Sequence, residues 1–125
     1  MPVRVELVEE AVGDLGRYAA SGNLERFLAK LVRLEDTGKD AGLPLGAGLT
    51  TWRKIVVGDR NWRIIFQMNP EETVATIWVI GDRDDAASYQ EAAERVRAMG
   101  AGKPEAESLS AVMFRLLQKK KAKRR

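Results

Sequence analysis

Residues 52–68 read Trp-Arg-Lys-Ile-Val-Val-Gly-Asp-Arg-Asn-Trp-Arg-Ile-Ile-Phe-Gln-Met. Two runs of β-branched and aromatic residues flank Gly58-Asp59-Arg60-Asn61, a sequence rich in turn formers, so the stretch predicts a β-hairpin. With an even loop, residues of opposite parity on the two strands share a face. Ile55, Val57, Trp62, Ile64, Phe66 and Met68 then lie together on an apolar face that needs helices over it, with Arg53 as its one misfit. The other face carries Trp52, Lys54, Val56, Arg63, Ile65 and Gln67. That mixture makes a poor core and a fair binding surface, which an antiparallel sheet can leave uncovered.

Outward from the hairpin, Asn69-Pro70-Glu71-Glu72 reads as a second turn and Thr73 to Ile80 as a third strand, which brings Thr76 and Trp78 onto the mixed face. Upstream, Val3 to Leu7 alternates like a short strand. Val8, Val12, Leu15 and Ala19 then recur at helical spacing. Ser21-Gly22-Asn23 breaks that helix, and Asn23 is placed to cap a second one with the stripe Leu24, Phe27, Leu28, Leu31 and Leu34, closed by Gly38. The two helices are expected to form an antiparallel hairpin. Residues 41–48 read as a loop. Downstream, Asp84 or Asp85 is placed to cap a helix running to about Met99. Residues 100–104 read as a linker, Leu109, Val112, Met113, Leu116 and Leu117 form another helical stripe, and the basic tail is expected to be disordered. The fold class expected is α+β: an N-terminal strand and helical hairpin packed on an antiparallel sheet, with C-terminal helices. A domain over residues 1–99 is followed by an extension over 100–125.

Bulk composition narrows the chemistry. The 125 residues contain no cysteine and no histidine, which removes disulfides, thiolate zinc sites and the commonest general base. Acid–base work must fall to Tyr, Lys, Arg, Asp or Glu. The net charge of +3 is unevenly spread, because residues 119–125 carry six positive charges and the rest carries 15 basic against 18 acidic residues, a net of −3. Any polyanion surface on the body is therefore a local patch. No apolar run is long enough to span a membrane, and the N-terminus lacks the plan of a signal peptide, so a cytoplasmic protein is expected.

The densest cationic cluster is Arg53, Lys54, Arg60, Arg63 and Arg83, all in or beside the sheet. Guanidinium forks match phosphate and stabilise charge building on it; the same residues also serve as solubilising charge paired with nearby aspartates. Tyr89, six residues after Arg83, is either an acid–base phenol or a ring packed on the sheet. Trp52 and Trp78 are open to base stacking, whereas Trp62 fits the core. Asp82, Asp84 and Asp85 are read as helix capping and partners of Arg83 rather than as a magnesium site.

The stretch from Leu43 to Val96 resembles the RelE/ParE toxin superfamily. It carries Leu-Pro-Leu-Gly, the Trp62 to Gln67 run, Ile-Trp-Val-Ile-Gly-Asp-Arg and then Tyr89 inside a helix. The resemblance implies a toxin of a type II toxin–antitoxin system, with a RelE-like fold over about four-fifths of the chain. In the RelE branch it implies a metal-independent, cofactor-free endoribonuclease, an mRNA interferase acting on ribosome-bound mRNA and inhibiting translation. Arg63, Arg83, Tyr89 and Lys54 match the catalytic positions; Arg53, Arg60, Trp52 and Gln67 would contact RNA. Val56 and Asp82 depart from positions that the family usually keeps basic. The partner implied is a cognate antitoxin. The ParE branch implies instead non-enzymatic inhibition of DNA gyrase, and a third expectation is a non-toxic binding module of the same fold.

Overall fold

The computed structural model describes residues 2–45, 51–59, 61–82, 85–100 and 105–123. The chain runs β1 (Arg4–Val8), α1 (Glu9–Ala20), α2 (Leu24–Thr37), a 3-10 turn (Lys39–Ala41), β2 (Leu43–Pro44), β3 (Trp52–Val57), β4 (Trp62–Met68), β5 (Val74–Asp82), α3 (Asp85–Met99), β6 (Ala106–Ser108) and α4 (Leu109–Lys123). All six strands join one sheet in the order β2-β3-β4-β5-β1-β6.

The hairpin registers as its alternation dictates. Trp52 pairs with Gln67, Lys54 with Ile65, Val56 with Arg63 and Val57 with Trp62, which leaves a four-residue loop. Asn69 organises the second turn: its Oδ1 accepts the backbone N–H of Thr73 and of Val74, each at 2.8 Å. β4 and β5 then pair antiparallel, Gln67 opposite Thr76 and Met68 opposite Ala75. Between Phe66–Ile77 and Ile65–Val79 the register shifts by one, so Trp78 is the extra residue of a β-bulge. Trp78 and Val79 both fall on the mixed face as a result.

The apolar face is closed by α1 and α2. Phe27, Leu31 and Leu34 are fully buried with Ile64, Phe66 and Ile77, and Val5 and Leu7 of β1 are fully buried too. Arg53, the misfit, reaches past the core to donate to the carbonyls of Lys39 (2.9 Å) and Gly42 (3.0 Å), tying the 3-10 turn to β3. Gly42 is needed there, because a Cβ would lie 2.7 Å from the Phe66 ring and 2.9 Å from the Lys54 carbonyl.

Several expectations are corrected. The sheet is mixed, since β1 is one of its members and runs parallel to β5; alternation marks a strand without naming its partner. Residues 43–44, read as loop, form β2 against β3. Asn23 precedes α2 but its side chain makes no cap; at φ −99° and ψ 2° it lies outside the extended region that aims a cap, and it donates to Ser21 Oγ instead. Residues 106–108 pair antiparallel with β1, and α4 packs on α1, α2 and β1. The basic run is helical as far as Lys123, contrary to the disorder expected: Lys, Gln and Ala favour helix, and positive charge suits a helix C-terminus. Among the described residues, no helix is long and apolar enough to cross a membrane.

Candidate functional site

On the mixed face, β3 and β4 hold Trp52, Lys54, Arg63 and Gln67 half-exposed. Lys54 lies opposite Ile65, one step along from the Val56–Arg63 pair. Diagonal neighbours of this kind have backbones roughly 7–8 Å apart, within reach of one phosphate for two long cationic side chains. Arg63 Nη1 donates to the Trp62 carbonyl at 3.1 Å. Gln67 Nε2 donates to Thr51 Oγ1 at 3.3 Å.

Helix α3 covers part of this face. It packs on β4 and β5, and Ile65, Val79 and Ala92 are fully buried. Its first turns are set by Ser88, whose hydroxyl donates to the Asp82 carbonyl at 3.2 Å. One residue on, half-buried Tyr89 sets its ring perpendicular to Trp52, centroids 6.5 Å apart. Trp52 in turn lies 6.2 Å from Trp78. The structure therefore brings Lys54, Arg63, Trp52, Gln67 and Tyr89 to one side of the sheet. It does not bring Arg53 there, since that side chain holds the 3-10 turn from the opposite face. Arg60, Arg83 and Asp84 lie outside the described residues. Trp62 packs with Phe27 and Tyr18 in the apolar layer, as its parity predicts.

Sequence reading missed a second polar site. β1 stops pairing with β5 at Leu7–Ile77, so the next backbone groups of β5 need other partners. Asp14, 2% exposed on α1, accepts from the Ile80 N–H through Oδ2 at 3.0 Å. Arg95 of α3 donates to the Trp78 carbonyl at 2.8 Å and to both Asp14 oxygens at 2.7 and 3.1 Å. Arg17 also donates to Asp14. Burial works against the Arg95 charge, but the hydrogen bond and the charge of Asp14 outweigh it, and the pKa is raised. The available signal was a lone acid inside the apolar stripe of α1, between Ala11 and Leu15. Tyr18, the other tyrosine, packs 4.6 Å from Phe27; burial, then the Asp82 charge, raises its pKa. Among the described residues no group of three or more acidic side chains is placed to hold a metal ion.

No protein-family model and no curated protein sequence matches the chain. Solved structures do. A free E. coli toxin RelE with two arginines replaced by alanine superposes with a TM-score of 0.61 at 23% identity, over 77% of this chain and 99% of that one. The chain has the RelE fold. The RelBE2 toxin–antitoxin complex of Mycobacterium tuberculosis matches with a TM-score of 0.55 at 20% identity, over 66% of this chain and 100% of that one. The same RelE variant in complex with a peptide of the antitoxin RelB matches at 0.53 and 25% identity, over 74% and 95%. Nearly the whole RelE chain is thus matched by about three-quarters of this one.

Proposed function

We propose that the chain is the toxin of a type II toxin–antitoxin pair and cleaves messenger RNA without a metal or cofactor. The observation that carries the reading is the half-open sheet face, where Lys54 and Arg63 stand beside Trp52 and Gln67 with Tyr89 at the edge of the same cluster. A phosphodiester laid on this face meets two cations, an aromatic surface for a base and a phenol. The RelE fold supports the same reading.

The chemistry is transesterification. The 2′-hydroxyl loses its proton to Tyr89 acting as a phenolate, with Lys54 as a cation beside the phosphate, and its oxygen bonds to the adjacent phosphorus. The P–O5′ bond breaks and the leaving oxygen takes a proton from solvent, giving a 2′,3′-cyclic phosphate and a 5′-hydroxyl. Arg63, with Arg83 from the segment after β5, stabilises the extra negative charge of the phosphorane-like transition state. Trp52 and Gln67 position the neighbouring bases, and Arg60 adds phosphate affinity from the hairpin loop. Arg53 is not used, because its guanidinium is held by backbone carbonyls. Residues 1–99 carry the activity. The targets are mRNA on the ribosome, in the cytoplasm, and a cognate antitoxin neutralises the protein.

The test is induction without antitoxin, followed by mapping of cellular mRNA ends and a supercoiling assay with purified gyrase. New 5′-hydroxyl ends inside coding regions that vanish in the Arg63→Ala and Tyr89→Phe variants support the proposal. Gyrase inhibition with intact mRNA replaces it with a ParE-like action, and harmless induction replaces it with a binding module.

A further inference from the structure

A groove of 1320 Å³ opens where α1, the end of α3, β6 and α4 meet. Its floor is apolar, with Val12, Met99 and Leu116, and its rim is acidic. Glu9, Glu10 and Glu105 on that rim have no ion pair among the described residues, whereas the groove's two arginines are engaged, Arg95 with Asp14 and Glu91 and Arg115 with Glu107. Gly13 and Gly16 form one wall of the groove, and a Cβ on either would meet nothing within 4 Å. Two glycines inside a 12-residue helix cost stability. They also let another backbone come close.

The chain carries a segment of matching chemistry. Phe114 and Leu117, 68% and 40% exposed, stand one turn apart on the outside of α4. The six positive charges of residues 119–125 follow directly. This segment cannot enter its own groove. α4 itself lines the groove at Arg115 and Leu116 and stays helical through Lys123, so the basic end runs roughly 10 Å beyond that lining.

We propose that two copies of the chain associate by exchange: the end of α4 and the basic tail of each lie in the acidic groove of the other. Made reciprocally, the same contact occurs twice about a two-fold axis and leaves no groove or tail over. Phe114 and Leu117 bring apolar contact to the floor, and the tail meets Glu9, Glu10 and Glu105. The body's net −3 against the tail's +6 makes the association electrostatic in origin.

Sedimentation of the purified full-length chain tests this. A dimer is expected at micromolar concentration, weakened at least about tenfold between 50 and 500 mM salt as screening shortens the reach of the charges. Filling the groove with Gly13→Leu and Gly16→Leu should give a monomer whose Tm is no lower, since both side chains enter open space on a helix. Glu9→Lys with Glu10→Lys should also give a monomer, and mixing it with a chain carrying Lys119→Glu, Lys120→Glu and Lys121→Glu should restore a heterodimer. A wild-type monomer at every concentration overturns the proposal. So does a dimer indifferent to salt and to groove filling, and so does tail removal that abolishes RNA binding while leaving the association state unchanged.

Discussion

Two arginines beside the sheet have opposite fates. Arg95 lies at the edge where β1 has ended, its side chain 14% exposed and shared among Asp14, Glu91 and the Trp78 carbonyl. Arg63 lies on β4, whose backbone is laddered on both sides by β3 and β5, and it stays half-exposed. The difference follows from the backbone. Where a strand loses its neighbour, buried N–H and C=O groups must be satisfied by side chains at a cost of about 1–3 kcal/mol each if they are not, and charge is drawn in to do it. Where the ladder is complete, the demand is smaller: Arg63 donates to the Trp62 carbonyl and still keeps part of its side chain at the surface.

The sharpest way to break this contrast is Asp14→Ala. It leaves the buried Ile80 N–H without its acceptor and Arg95 with Glu91 and the Trp78 carbonyl but no buried counter-charge, and a loss of about 3–5 kcal/mol is expected by urea titration. Pairing it with Arg95→Met should recover much of that loss, because an apolar pair carries no desolvation penalty. A loss below about 1 kcal/mol for Asp14→Ala would mean that the pair is not holding the β5 edge. For Arg63→Ala the prediction is reversed: stability within about 0.5 kcal/mol of the parent, and mRNA cleavage down roughly 10²–10³-fold in a translation extract. An Arg63 variant that unfolds instead would place it with Arg95 as a structural residue.

The same contrast explains what was legible in the sequence. The 52–68 hairpin was readable to the residue because alternation and an even loop fix its faces, and the Lys54–Arg63 neighbourhood followed from parity alone. Tyr89 could be placed on a helix, but its meeting with Trp52 depends on how α3 crosses the sheet, which a helical period does not encode. The parallel pairing of β1 was hidden for a similar reason, since a short alternating run carries no signal for a partner as far along the chain as Val74. Parity set Arg53 apart as the misfit of the apolar face but did not say what it does there. Only the loop folded over it, through the carbonyls of Lys39 and Gly42, reveals its structural use.

Gly42→Ala sharpens the closed side further. A methyl group there collides with the Phe66 ring and with β3 backbone, and only the ring can give way. The overpacking should cost about 1–3 kcal/mol, read as a lower urea midpoint with an unchanged m-value. Lys54 contributes its carbonyl to that collision and its side chain to the opposite face. A cleavage defect in Gly42→Ala larger than the stability loss explains would show that a shift of β3 reaches the open face.

The smallest effect concerns Tyr18, which packs on Phe27 and Trp62 beneath the hairpin. Burial, followed by the nearby Asp82 charge, raises its pKa above the ordinary 10.0, so folding favours the neutral phenol. A group whose folded pKa is raised contributes stability that is fully present below the unfolded value and disappears as pH climbs through the folded one. Wild-type stability should therefore decline above about pH 10 by an increment that Tyr18→Phe lacks, while the two proteins run parallel at about pH 7–9. Urea midpoints of both at about pH 9 and pH 11 measure it. Equal declines would mean that the phenol is as well solvated in the folded chain as in the unfolded one, and that the apolar layer is open to water at the end of α1.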